Sequence, residues 1–212
     1  SVGPTVYLVT SDLYDIDPDS APLNYGTLQV PLNLVTRTAA AAVKVFPVAG
    51  ADNLVCAGNP GGLCRSDDAA ARDSFKVYAS TALRLEVVLP GQTLVEGKCA
   101  VSPPCLNASL AWPGRSGPPA EHTIGSGALF ASVYLTDLFH NKATDAVGAA
   151  QNTNPVAVMP EVRLTLPGDP KTSAPAPQGL SNGSLVFSLD PRTSISSYTV
   201  LAATTAASPA AY

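Results

Sequence analysis

Residues 82–89 read Ala82-Leu83-Arg84-Leu85-Glu86-Val87-Val88-Leu89. Leu83, Leu85, Val87 and Leu89 alternate with Ala82, Arg84, Glu86 and Val88. Alternation sends successive side chains to opposite faces of an extended chain, so the stretch predicts a strand with one buried and one wetter face. The period recurs at Leu28, Val30, Leu32 and Leu34, which alternate with Thr27, Gln29, Pro31 and Asn33. It recurs again at Val162, Leu164 and Leu166, and at Leu185, Phe187 and Leu189. Further strands are predicted over 42–46, 75–79, 106–112, 129–138 and 195–202. Pro90-Gly91, Pro113-Gly114, Gly117-Pro118-Pro119 and Pro167-Gly168-Asp169-Pro170 punctuate them as turns. The alanine runs at 39–42, 69–71 and 143–150 allow a helical turn each and no long helix. These signals predict an all-β chain, an antiparallel β-sandwich of Ig-like or jelly-roll type. Pro31 marks its strand as an edge strand, because proline cannot donate to a ladder.

Composition bounds the function. At 212 residues, roughly 70% of the unfolded surface can be buried, enough for a real core. Charged residues make up only 13%, about half the usual ~25%, so hydroxyls, attached sugar or a partner's surface must keep the chain soluble. A net charge of −4 with no basic run argues against nucleic acid as a partner. No apolar stretch approaches the ~20 residues of a spanning helix, so no membrane span is expected.

Several features point outside the cell. The chain starts at Ser1 without a basic-then-apolar leader, the expectation for a mature secreted protein. Cys56, Cys64, Cys99 and Cys105 lack the C-x-x-C spacing of zinc or thioredoxin-type sites. Cys56–Cys64 and Cys99–Cys105 bracket Pro/Gly loops and are the favoured of three possible pairings; a nine-residue ring such as 56–64 is worth about 2.5 kcal/mol. Asn107-Ala108-Ser109 and Asn182-Gly183-Ser184 are sequons, which predict attached glycans at Asn107 and Asn182.

The N-terminus stands apart. Thr5, Val6, Tyr7, Leu8, Val9 and Thr10 form a run of strong β formers, followed by an Asp- and Pro-containing tether. Residues 1–22 are therefore expected to be a strand arm and acidic tether, and residues 23–212 the sandwich with long loops. Such a strand either folds back into its own sheet or completes the sheet of a neighbour. In this plan the chain resembles the subunits of pili assembled by donor-strand complementation. The resemblance implies an extracellular fibre subunit, polymerising with itself head-to-tail, with Val6, Tyr7, Leu8 and Val9 at the heart of the donor segment. The cysteine spacing departs from the long-range bridge common in chaperone–usher pilins. The alternative is a secreted cell-surface carbohydrate-binding or adhesin domain, with Tyr14, Tyr25 and Trp112 as stacking candidates. A viral coat protein ranks third, because the N-terminus is acidic rather than basic.

Catalytic patterns are weak, and no enzyme is expected. Ser126 lies in Gly125-Ser126-Gly127, which is not a G-x-S-x-G elbow. The two histidines, His122 and His140, have no evident nucleophile or metal-ligand partner, and His140 reads as a solvent-facing residue at a strand end. No cofactor is expected beyond a candidate calcium ion. Asp15, Asp17 and Asp19 copy the opening of a calcium loop, but Ser20 and Gly26 stand where glycine and a bidentate glutamate belong.

Overall fold

The computed structural model describes residues 2–10, 12–16, 19, 21–25, 27–37, 43–49, 73–75, 77–82, 84–99, 111–144 and 159–205. These residues form ten strands and no helix: β1 (Val2–Thr10), β2 (Ala21–Asn24), β3 (Val43–Ala49), β4 (Asp73–Phe75), β5 (Arg84–Val88), β6 (Leu129–Thr136), β7 (Glu161–Thr165), β8 (Gln178–Gly179), β9 (Ser184–Leu189) and β10 (Leu201–Thr204). All pairings are antiparallel. One four-stranded sheet runs β2-β1-β3-β4, and two three-stranded sheets run β5-β6-β9 and β10-β7-β8.

The two three-stranded sheets share one apolar core, and period two explains it. Leu129, Ala131, Val133 and Leu135 of β6 point inward, as do Phe187 and Leu189 of β9 and Val162 and Leu164 of β7. Leu85, Val87 and Leu89 pack against them from β5, and Tyr198, Val200 and Ala202 from the β10 side. Phe187 is fully enclosed; burial of each such side chain stabilises by about 1.5–3 kcal/mol.

Several expectations shift. The predicted strand over 75–79 is instead β4, ending at Phe75, and that over 195–202 starts only at Leu201. Residues 27–34 keep the alternation of exposure without joining a sheet. β2 and β8 were not legible. β2 straddles residues 22 and 23 and holds β1 through Val6↔Ala21 and Thr5↔Pro22. The strand predicted over 106–112 falls mostly outside the described residues, and Ala111 and Trp112 form a bend.

Two local devices close the core. Ser181-Asn182-Gly183-Ser184 reverses the chain into β9, with positive φ at Asn182 and Gly183 as a tight hairpin turn of the I′ kind demands. A Cβ at Gly183 would collide with the Ala143 carbonyl oxygen. After β7, the buried Asp169 accepts from the N–H groups of Lys171 (3.0 Å), Arg192 (2.6 Å) and Thr193 (3.2 Å) and from the Thr193 hydroxyl (2.7 Å). Burial works against its charge, but these donors, Arg192 N–H foremost, outweigh it and hold the carboxyl well below the ordinary 3.8. The Tyr198 hydroxyl beside it is pushed up by burial first and by the Asp169 charge second.

A carboxyl depressed in the folded state gives stability that is complete above its unfolded value and is lost as pH falls. Asp169→Asn should therefore lower the thermal midpoint at neutral pH. The gap to wild type should narrow as the pH drops below 3.8, read by circular dichroism melts across a pH series.

Candidate functional site: the β1 hinge and the outer face of β5–β6

β1 lies between β2 and β3, with the register Val6↔Ala49, Tyr7↔Val48, Leu8↔Pro47, Val9↔Phe46 and Thr10↔Val45 on the β3 side. The donor residues Thr5, Val6, Tyr7, Leu8, Val9 and Thr10 are thus paired within their own chain. Directly after β1 the chain is pinned. Asp12 accepts from Val35 N–H (2.8 Å), Thr36 N–H (2.7 Å), the Thr36 hydroxyl (2.5 Å) and Tyr14 N–H (3.1 Å). The Thr10 hydroxyl donates to Asp15 (2.8 Å) and accepts from Asp12 N–H (3.1 Å).

The pinned segment is itself gripped at the end of β6. Arg37 N–H donates to Asn141 Oδ1 (2.8 Å), and Asn141 Nδ2 donates to the Val35 carbonyl (2.7 Å) and to Asp137 (3.1 Å). Asp137 also accepts from Ser80, Phe139 and Asn141 N–H groups, each at 2.9 Å. Arg37 pairs with Glu96 at 2.7 Å, and Glu96 takes the Lys142 N–H as well. Gly97, at φ +77°, passes so close to Thr36 that no larger residue fits there.

A second polar cluster sits on the outer face of β5. Glu86 is buried between Arg115 Nε and His140 Nδ1, both at 2.9 Å. Arg84 Nη1 lies 3.4 Å from His140 Nε2. Arginine can only donate, so a hydrogen bond from Arg84 makes Nε2 the acceptor and leaves the Nδ1 proton directed at Glu86. The expected solvent-facing His140 is therefore corrected: it is buried, holds positive φ and packs under Gly114. Through these contacts the cluster fastens the 112–116 turn to β5. Beside it an open groove of about 630 Å³ runs over β5 and β6, its lining including Val88, Phe130 and Tyr134 together with Arg37, Glu96 and Lys142.

Comparison with protein families, curated proteins and solved structures gives no match.

The remaining sequence candidates are scattered by the fold. Asp15 is buried and engaged with Thr10, Asp19 is exposed, and Asp17 lies outside the described residues. Among the described residues no group of three His, Cys, Asp or Glu side chains could hold a metal. The acid of that stretch that matters structurally is Asp12. Cys99 is disulfide-bonded; Cys56, Cys64 and Cys105 lie outside the described residues, as does Asn107. Asn182 is exposed on its turn. Tyr14 packs against Val35 and Cys99, Tyr25 is 84% exposed, and Trp112 lies under the Arg115 guanidinium. Ser126 sits in an exposed turn, its hydroxyl donating to the Thr123 carbonyl. Among the described residues no helix is long and apolar enough to cross a membrane.

Asp12→Asn keeps the shape but aims a donor at the Val35 and Thr36 N–H groups. It should cost about 1.5–3 kcal/mol, measured by urea unfolding, and should raise hydrogen exchange in β1 more than in β6.

Proposed function

We propose that the chain is a structural subunit of an extracellular filament, not an enzyme, and that copies join head-to-tail by exchanging β1. In this reading the two three-stranded sheets are the layers of a β-sandwich of Ig-like or jelly-roll type. β1 leaves the slot between its own β2 and β3 and fills the same slot in the neighbour. The observation that carries the reading is β1 itself, ladder-paired on both edges and joined onward through the hinge pinned at Asp12. Main-chain ladder bonds are the same whether the partner strand belongs to one chain or to two, so exchange costs no contact. A non-reciprocal exchange repeats without closing. The acceptor in this scheme is the β2–β3 slot, not residues 27–34. The disulfide at Cys99, the exposed sequon at Asn182 and the low charge support a secreted, glycosylated surface.

A double variant tests it. Val6 and Ala49 are directly opposed across β1 and β3, so Val6→Cys with Ala49→Cys forms a bridge on mild oxidation. Exchange in trans gives a ladder of covalent oligomers on non-reducing gels, and deletion of residues 1–22 abolishes fibres in negative-stain micrographs. Oxidised material that migrates only as single chains overturns the proposal.

The groove over β5 and β6 favours a second reading, a carbohydrate-binding surface. Phe130, in its lining and 59% exposed, is the stacking platform in this reading. Retention on a glycan resin, lost in Phe130→Ala, would establish it.

A further inference from the structure

Residues 27–34 have a strand's alternation and no sheet. Thr27, Gln29, Pro31 and Asn33 are exposed, whereas Leu28, Val30, Leu32 and Leu34 are half-buried, which is the pattern of an extended chain lying on one face. After the Asn24–Thr27 bridge, the main chain has no backbone hydrogen bond to any described residue until Val35 N–H reaches Asp12. Unpaired main-chain N–H and C=O groups are rarely tolerated away from water, which makes 28–34 a segment whose two edges stand open among the described residues.

The two edges differ. In an extended chain alternate residues direct their N–H and C=O groups to opposite edges. Gln29, Pro31 and Asn33 serve one edge, which has a gap because Pro31 lacks an N–H. Leu28, Val30, Leu32 and Leu34 serve the other, and every donor there is present.

We propose that this intact edge is a dimer interface, pairing antiparallel with the same edge of a second copy about a two-fold axis at Pro31. The segment is self-complementary in that register. Leu28 of one copy faces Leu34 of the other and Val30 faces Leu32, so the apolar faces become continuous. Gln29 faces Asn33 on the wetter side. Pro31 meets Pro31 in a non-hydrogen-bonded pair, where its missing N–H costs nothing. The segment carries no charged residue, so no like charges are opposed, which is the usual bar to a strand pairing with itself. A slip by one residue would set leucines against Gln29 and Asn33. The contact is isologous and closes at two copies, so it is separate from β1 exchange and does not depend on it.

Cysteine placement and proline placement test this in the full chain. Pro31→Cys should oxidise to a covalent dimer because the two-fold axis brings it against itself, whereas Gln29→Cys, far from its own mate in that register, should not. Val30→Pro removes a donor from the pairing edge and should raise the dimer dissociation constant at least about tenfold in sedimentation. Gln29→Pro removes one from the other edge and should leave it unchanged. Equal cross-linking at positions 29 and 31, or equal weakening by both prolines, overturns the proposal. So does an absence of cross-linking at position 31 in folded protein; should Val30→Pro fail to fold, the cysteine pair decides alone.

Discussion

Among the described residues, one carboxylate links the end of β1 to the segment that is gripped at the end of β6. Asp12 gathers the N–H groups of Val35 and Thr36 at 2.8 and 2.7 Å, and the next residues are held by Asn141 and Asp137 at the end of β6. A carboxylate suits this task because it presents several acceptor sites and no donor, so a bent stretch of main chain can satisfy itself on a single side chain. Asp137 and Asp169 repeat the device at other corners of the molecule. In a chain with so few charged residues, buried acids are the joints of the framework rather than decoration of its surface.

That division explains what was legible in the sequence. Alternation at 84–88, 129–136, 161–165 and 184–189 announces the core strands, because inward and outward residues must differ wherever one face is buried and the other wet. Pro90-Gly91 and Pro113-Gly114 announce their turns for an equally local reason, a proline with fixed φ followed by a glycine at positive φ. The polar joints leave no such trace. Asp12 reaches across 23 residues to Val35, and Asn141 across 106 to the Val35 carbonyl. Glu86 and His140 meet across 54, and nothing in the residues around His140 distinguishes a buried ring from a solvated one.

In the acidic run at Asp12, Asp15, Asp17 and Asp19, clustered carboxylates at alternate positions resemble a cation loop, and the structure gives two of them main-chain and hydroxyl donors: Asp12 accepts from Tyr14, Val35 and Thr36, and Asp15 from the Thr10 hydroxyl. In the run at 27–34, alternation guarantees an extended chain with two unlike faces, but a ladder also requires a neighbour at the right distance.

The central place of β1 has a mechanical corollary. A tension applied along β1 acts parallel to its strand direction and therefore across the hydrogen bonds to β2 and β3. Bonds loaded in that direction must shear together, whereas bonds peeled from one end break in succession. The same ladder would thus be stiff against stretching and easily unzipped sideways, and the Asp12 pin sets the point at which a pull on this strand is handed to the rest of the molecule.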